Sequence, residues 1–309
     1  MSRVIVLGSA NTDLNVRVPQ LPGPGETVQG SSFQALFGGK GANQALAALY
    51  SGAEVFFLAR IGTDHYGQTL AKHLQDAGLP VQGLIRDPEQ PAGLAFILVD
   101  SQGQNQIVVA PGSNHCLSAE DVRDFADWFS PDSILLVQLE IPLQSVAAGL
   151  KLAKSRGMTT ILDPAPYQPL SADILADVDI LTPNLAEAAA LAGTEPQALQ
   201  ETEHTLQNLI SQGPQKVILT LGQEGALLLD SAGREYLPAF QVQARDTVAA
   251  GDAFNGSLAA ALCKGKSLSQ AVRLANAAGA LCATKPGAQA ALPSEIEIEE
   301  LAGIRFASV

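Results

Sequence analysis

Val4-Ile5-Val6-Leu7-Gly8-Ser9-Ala10-Asn11-Thr12-Asp13 opens the chain with four apolar residues that run into a glycine and a polar segment. An apolar run without polar alternation fits a strand buried on both faces, as in a parallel sheet. The pattern recurs down the chain. Val55–Ala59 leads to Arg60-Ile61-Gly62-Thr63-Asp64, Ile134–Leu139 to Glu140, Thr159–Leu162 to Asp163-Pro164, Ile180–Leu181 to Thr182-Pro183-Asn184, and Lys216–Leu219 to Thr220-Leu221-Gly222. Helical spacing lies between and beyond these strands, over about 43–49, 66–77, 119–129, 143–155, 185–192, 197–212, 252–264, 268–283 and 295–302. The alternation predicts an α/β fold, a doubly wound, mostly parallel sheet flanked by helices. Ligands of such sheets bind beyond the carboxyl ends of the strands. Asn11, Asp13, Asp64, Glu140, Asp163, Asn184 and Thr220 all fall there, which predicts one shared cleft.

Two regions break the alternation. Leu14–Phe37 carries Pro19, Pro22, Pro24 and several glycines, and suits short extended pieces such as Asn15–Val18 and Thr27–Gln34. Gly93–Val99 and Asn105–Ala110 read as a hairpin around Asp100-Ser101-Gln102-Gly103. Together, from about 12–37 and 93–110, they predict a small second sheet within a single domain over 1–309. A sheet at the cleft end would serve as a lid against water.

Of the 309 residues, 47% are hydrophobic, which suffices for a large core. The net charge of -13 disfavours nucleic acid or an anionic membrane as a partner. An acidic chain that binds a polyphosphate needs backbone amides, a divalent cation, or both. Cys116, Cys263 and Cys282 lack CxxC spacing and suit reduced thiols in a cytoplasmic protein. The start of the chain reads as a strand rather than a signal peptide, and its apolar runs fall short of a membrane span.

Several chemistries are disfavoured by what the sequence omits. Gly8-Ser9-Ala10-Asn11 is not the G-x-G-x-x-G of a dinucleotide site, and Lys40-Gly41 is not the end of a P-loop. No histidine pair has zinc spacing, and no G-x-S-x-G elbow occurs.

The chemistry on offer centres on Asp246-Thr247-Val248-Ala249-Ala250-Gly251-Asp252-Ala253-Phe254-Asn255-Gly256. Ala249, Ala250 and Gly251 leave the backbone open to an anion, and a helix start supplies unpaired N–H groups and a favourable dipole. Asp252 reads either as an ordinary N-cap or as a base that takes a hydroxyl proton while the amides hold a phosphate in transfer. Gly38-Gly39-Lys40-Gly41-Ala42-Asn43 is either a bent strand-to-helix turn or a close backbone approach to a polar ligand, with Asn43 offering donor and acceptor. Asp13 and Glu140 suit sugar hydroxyls, or are loop carboxylates. Asn184 and Glu187 have capping-box spacing, or hold water around Mg²⁺. Thr220 through Gly225 is a hairpin turn, or a shelf for a nucleotide.

The segments Gly38–Ala45 and Asp246–Gly256 resemble the two signatures of the ribokinase branch of the phosphofructokinase-B-type sugar kinases. Asn11-Thr12-Asp13, Gln138-Leu139-Glu140, Thr182-Pro183-Asn184 with Glu187, Leu219-Thr220-Leu221-Gly222 and Pro286-Gly287-Ala288-Gln289 match in the same order, so the resemblance spans nearly the whole chain. It implies ATP-dependent phosphorylation of a pentose hydroxymethyl group, D-ribose to D-ribose 5-phosphate. It implies Asp252 as general base and the Ala249, Ala250 and Gly251 amides as anion hole. Sugar contacts are implied at Asn11, Asp13, Gly39, Lys40, Asn43, Glu140 and Asp252. Nucleotide contacts are implied at Asn184, Thr220, Gly222, Gly225, Gly251 and Asn276, with Glu187 near Mg²⁺. The resemblance also implies K⁺ beside the anion hole, held mostly by backbone carbonyls of Asp246, Val248, Cys282, Lys285, Gly287 and Ala291. Ala291 departs from the pattern, since serine is frequent there, and it supplies no side-chain oxygen. A homodimer through the lid sheet is implied as well. The alternatives are a kinase for deoxyribose, fructose or a nucleoside, a sugar sensor without turnover, and an extracellular sugar-binding protein.

Overall fold

The computed structural model describes residues 2–195 and 202–307. Strand β1 (Val4–Leu7) is buried throughout. The strands that follow are β2 (Asn11–Arg17), β3 (Ser32–Gly38), β4 (Val55–Gly62), β5 (Leu84–Asp87), β6 (Gly93–Val99), β7 (Asn105–Ala110), β8 (Ile134–Val137), β9 (Thr159–Leu162), β10 (Ile180–Leu181), β11 (Lys216–Thr220), β12 (Gly225–Asp230) and β13 (Gly233–Pro238). The helices are α1 (Lys40–Tyr50), α2 (His65–Asp76), α3 (Ala119–Asp124), α4 (Leu143–Ser155), α5 (Ala172–Ala176), α6 (Leu185–Ala192), α7 (Thr202–Ser211), α8 (Ala250–Cys263), α9 (Leu268–Cys282) and α10 (Glu295–Ala302). The part of the expected 197–212 helix that precedes Thr202 lies outside the described residues.

Among the described residues nine strands form one sheet, ordered β13-β12-β11-β10-β9-β8-β1-β4-β5. Pairing is parallel from β5 to β11, and antiparallel where β12 joins β11 and β13. The chain leaves β1 towards β4 and β5, then returns to build β8 to β11 on its other side. That reversal leaves a crevice at the carboxyl ends of β1 and β8.

The apolar run of β1 follows from burial on both faces. Val4 and Val6 enter a core with Leu46 of α1, Leu258 of α8 and Val272 of α9, while Ile5 and Leu7 enter a core with Val146 and Leu150 of α4. Side chains alternate along a strand, so each core requires its own apolar residue at every other position.

The second sheet, again among the described residues, has four strands ordered β3-β2-β6-β7. β2 pairs parallel with β6, and the other two pairings are antiparallel. The expected hairpin forms, with Asp100 Oδ1 accepting from the N–H groups of Gln102 and Gln104 in its turn. The expected pieces Asn15–Val18 and Thr27–Gln34 are displaced, because the strands start at the cleft residue Asn11 and end at Gly38.

Other differences have local causes. β5 was not anticipated: Leu-Ile-Arg-Asp has no clear period, and the strand forms by edge pairing with β4. The short α5 was missed as well. The expected 119–129 helix stops at Asp124 and tightens into a 3₁₀ turn over Ala126–Trp128, where Trp128 stacks on Phe56 with ring centroids 3.9 Å apart. Asp64, read as a cleft residue, instead caps α2 through Gly67 N–H and binds Ala92 N–H.

Candidate active site

The site begins where α1 approaches the turn after β1. Gly39 has φ 89°, and a Cβ there would lie 2.7 Å from Asn11 N. A side chain is thus excluded both by conformation and by contact. The approach brings the first turn of α1 against the crevice. Glu140 locks it there: its Oε2 accepts from Lys40 N–H at 3.0 Å and from Ser9 Oγ at 2.5 Å.

Asp252 faces α1 across the crevice. It is the third residue of α8 and does not cap it; Ala249, in the left-handed conformation at φ 60°, occupies the N-cap position. The residue is 5% exposed, and its carboxylate receives two side-chain amides from consecutive residues. Asn43 Nδ2–H donates to Asp252 Oδ2 at 2.9 Å, and Gln44 Nε2–H donates to Asp252 Oδ1 at 3.0 Å. Gln44 Nε2 also donates to Asp163 Oδ2 at 2.7 Å, while its Oε1 accepts from Gln138 Nε2 at 2.6 Å. Lys40 Nζ stands 3.7 Å from Asp163 Oδ2 and 4.0 Å from Asp252 Oδ1.

The electrostatics follow from this crowding. Burial pushes the Asp163 carboxyl up to about 7; Lys40 opposes the rise, Asp252 and Glu187 add to it, and the Gln44 hydrogen bond opposes it. Burial, Glu140 and Asp252 push Asp13 up to about 6. Burial would lower the Lys40 ammonium, but Asp163, Asp252, Glu140 and Glu187 outweigh it and hold the charge on. The Asn43 Oδ1 atom is buried with no hydrogen-bond partner among the described residues. A buried acceptor left open in a cleft is suited to a ligand hydroxyl.

Above Asp252 the turn offers donors. The Ala250 N–H is already taken by Thr247 O at 3.2 Å. Among the described residues the N–H groups of Ala249, Gly251 and Asp252 meet no protein acceptor. The open donors are therefore spread around Ala250 rather than including it. Space over Gly251 is clear, since a Cβ there meets nothing within 4 Å. Asn255 braces the turn, donating to Gly251 O at 3.0 Å and accepting from Thr182 Oγ1 at 2.7 Å.

The other expected sugar contacts lie nearby. Asn11 Oδ1 accepts from Asn114 Nδ2 at 2.7 Å, and Asn114 Oδ1 takes Ala10 N–H. A cavity of about 620 Å³ extends from Asn11 and Glu140 to Pro166 and Gln168, with Val109 of the second sheet on its wall.

The expected nucleotide residues form a looser group. Asn184 and Thr220 are joined by a β-bridge. Asn184 and Glu187 make a complete capping box at the start of α6, each side chain accepting the other's backbone N–H at 2.9 Å. Gly222 is exposed beside Thr220, with open space over it. Gly225 is buried: a Cβ there would lie 2.2 Å from Leu237 O, so this glycine serves the hairpin. Asn276 donates to the carbonyls of Leu237 and Pro238 and fastens that hairpin to α9.

The six residues expected around K⁺ gather in part. Asp246 accepts from Val248 N–H and Gly287 N–H, Cys282 Sγ–H donates to Val248 O, and Lys285 N–H donates to Cys282 O. The carbonyls of Asp246, Gly287 and Ala291 receive no hydrogen bond among the described residues. No cluster of three or more His, Cys, Asp or Glu side chains with metal-holding geometry occurs among them either. That does not disfavour Mg²⁺, which keeps much of its water and takes one or two carboxylates plus substrate phosphates.

Asp163 was expected in the cleft from its place after β9, without a role; Gln44 and Gln138 stand in the sequence only as parts of motifs, and Asn114 and Ser9 carry no expectation. Position was a signal for Gln44 and Gln138; Asn114 carried none.

A buried carboxylate beside open helix-start amides, with a lysine between carboxylates, is an arrangement for moving a proton while holding an anion. The chain belongs to the pfkB family of carbohydrate kinases, whose sequence pattern matches residues 1–295. It is 39% identical over 295 residues to a ribokinase of Haemophilus influenzae, covering 96% of each chain. Among solved structures it is similar to a ribokinase from Thermotoga maritima, with TM-score 0.89, 36% identity, and 98% and 100% of the two chains covered. It is also similar to an Arabidopsis thaliana ribokinase complexed with ribose and ATP, with TM-score 0.90, 30% identity, and 98% and 99% covered.

Proposed function

We propose that the protein transfers the γ-phosphoryl group of ATP to the hydroxymethyl oxygen of D-ribose, giving D-ribose 5-phosphate and ADP. The observation that carries this reading is the buried Asp252 carboxylate, held by two amides in the first turn of α8, whose N–H groups at Ala249, Gly251 and Asp252 meet no protein acceptor among the described residues. The likeness to a ribokinase complexed with ribose and ATP supports the choice of substrates. Asp252 accepts the hydroxyl proton as the oxygen bonds to the γ-phosphorus and the bond to the bridging oxygen of ADP breaks. The N–H groups of Ala249, Gly251 and Asp252 carry the charge on the phosphoryl oxygens in transfer. Lys40 adds a fixed positive charge at the same point. Asn11, Asp13, Gly39, Asn43 and Glu140 bind the sugar hydroxyls. Asn184, Thr220, Gly222 and Asn276 line the nucleotide shelf, with Gly225 shaping it.

Mg²⁺, when bound, would neutralise phosphate charge, with Glu187 as its protein ligand through water. K⁺ would add positive charge near the turn, held by the open carbonyls of Asp246, Lys285, Gly287 and Ala291 and by those of Val248 and Cys282. We place the enzyme in the cytoplasm, which its free thiols support. No helix among the described residues is long and apolar enough to cross a membrane.

The second sheet acts as the lid, and a homodimer forms through it. Phe33, Phe96 and Val108, 61%, 45% and 66% exposed, project from one face of that sheet. Sedimentation should give a dimer, and a monomer at micromolar concentration would remove this part.

The main test is a coupled ADP assay over ribose, deoxyribose, fructose and nucleosides, with and without Mg²⁺ and K⁺. Ribose should give the highest kcat/KM. A higher value for another acceptor would replace ribose, and sugar binding without ADP release would make the protein a sensor.

A further inference from the structure

Gln44 has no part in the chemistry just described, yet its buried side chain makes three hydrogen bonds in the crevice. Its two Nε2 hydrogens go to two different carboxylates, Asp163 Oδ2 at 2.7 Å and Asp252 Oδ1 at 3.0 Å. Its Oε1 accepts from Gln138 Nε2 at 2.6 Å. Turning the amide over would set Oε1 against two carboxylates and Nε2 against another N–H donor. Chemistry therefore fixes the orientation.

The two anchors are rigid. Asp163 directly follows β9, with its own N–H bonded to Val137 O, and Gln138 directly follows β8. Both strands lie inside the main sheet. Through one side chain of α1, the Asp252 carboxylate of α8 is thus tied to the ends of two central strands. Asn43 holds the opposite oxygen, Oδ2, so rotation about the carboxylate axis is blocked from both sides. Each carboxylate oxygen has about two lone pairs, so one per oxygen remains for other donors.

A purely structural network would not need this composition. Bringing two carboxylates to one amide is electrostatically unfavourable, since like charges repel, and Asp252 adds to the upward push on Asp163. Apolar residues of similar volume commonly replace buried ionic groups without loss of stability.

We propose that Gln44 is a positioning residue for phosphoryl transfer: it clamps the Asp252 carboxylate to the strand ends, aiming its open lone pair at the acceptor hydroxyl, while Gln138 keeps the clamp from turning. This rests on Asp252 being the proton acceptor. The clamp contributes orientation and leaves substrate binding alone, so its loss falls on kcat. Misplacing a reacting group by about an ångström is worth on the order of 100-fold in rate.

The experiment compares steady-state kinetics of the wild type, Gln44→Met, Gln138→Met and Asp252→Asn, with ribose and ATP varied separately and thermal midpoints measured on each. Gln44→Met keeps the volume and removes the donors. Its kcat should fall on the order of 10- to 100-fold while both KM values stay within about twofold. Gln138→Met leaves Gln44 in place but free to turn, and should lose less kcat, again without a change in KM. If Gln44→Met does not fold, Gln138→Met carries the test alone. Wild-type kcat in a folded variant, or a rise in KM matching the fall in kcat, overturns the clamp. Full turnover in Gln44→Met beside an inactive Asp252→Asn overturns the clamp and leaves the base in place. Full turnover in both overturns the base and the clamp together.

Discussion

The two halves of the crevice satisfy their polar groups in opposite ways. On the acceptor side, Asp252 bonds to Asn43 and Gln44, 209 and 208 residues away in sequence, and Gln44 bonds to Asp163 and Gln138, 119 and 94 residues away. These groups are buried. On the nucleotide side, Asn184 and Glu187 satisfy each other three residues apart, in an exposed capping box. Long-range bonds exist only when the whole fold is in place, so they report and hold the relative position of α1, α8 and the strand ends. Local bonds form with the helix they cap and hold nothing else. The acceptor side is consequently preorganised. On the proposed nucleotide side Asn276 fastens the β12–β13 hairpin to α9, but the Asn184–Glu187 box holds only the start of α6, and we expect that end to take its precision from the bound nucleotide.

The sharpest way to break this contrast is Asp252→Asn. The variant keeps the shape of the side chain but removes the proton acceptor, and places a second N–H donor against those of Asn43 or Gln44. General-base loss is worth roughly 10²- to 10⁴-fold in kcat. Nucleotide affinity, measured by titration calorimetry, should stay at the wild-type value. Near-normal turnover would remove Asp252 from the mechanism.

Next in size is Gly256→Ala, one helical turn beyond Asp252. A Cβ at Gly256 would lie 2.5 Å from Ala47 Cβ and 2.6 Å from Gln44 O. Neither neighbour can yield without moving α1 away from α8. That shift withdraws both amides from Asp252 at once. We expect kcat lower on the order of 10- to 100-fold, with about 1–3 kcal/mol of stability lost to overpacking. Denaturant unfolding and steady-state rates check the two parts. A destabilised variant with wild-type kcat would show that the preorganisation is not needed.

Asp13 sharpens the contrast through pH. Its folded-state value of about 6 lies above the ordinary 3.8. Ionised, it accepts sugar hydroxyls at both oxygens, whereas protonation turns one oxygen into a donor and weakens the other as an acceptor, so KM for ribose should rise below about 6, by at most roughly tenfold per pH unit. Its effect on stability has the opposite sign. A raised carboxyl favours the protonated folded state, so its contribution is fully present below about 3.8 and is lost as pH rises through about 6. Asp13→Asn should abolish the acid-side rise in KM. A KM that is flat from pH 5 to 8 in the wild type would exclude Asp13 from sugar binding.

The same contrast explains what could be read from sequence. The doubly wound sheet was legible because β1 and β8 are short apolar runs buried on both faces, a pattern that suits interior strands. The second sheet was legible as a break in alternation, although β5 was not, since an edge strand owes its state to a neighbour rather than to its own residues. At the site, Asp252 and Asn43 stood out because small residues around them marked an approach of backbone. Gln44 did not, because its place in the motif marks the segment but says nothing of partners 119 and 208 residues away. Asn114 was hidden for the same reason, with its partner Asn11 103 residues off. Asp64 was misread in the other direction: a carboxylate after a strand looks alike whether it faces a ligand or caps the next helix.

Glu187 gives the smallest and most discriminating effect. One of its oxygens, Oε2, is taken by Asn184 N–H. Glutamine can serve in the same capping position, so Glu187→Gln should leave the thermal midpoint near that of the wild type. The change removes one negative charge from the proposed nucleotide shelf, where Mg²⁺ and the phosphates would bind. The Mg²⁺ concentration for half-maximal rate should rise several-fold, roughly the effect of one partly exposed charge worth about 1 kcal/mol. At saturating Mg²⁺, kcat should return to near the wild-type value, because the clamp on Asp252 does not include residue 187. A loss in kcat that no Mg²⁺ concentration restores would mean that the nucleotide side is as tightly built into the transition state as the acceptor side, and the division between a rigid half and a shelf would not hold.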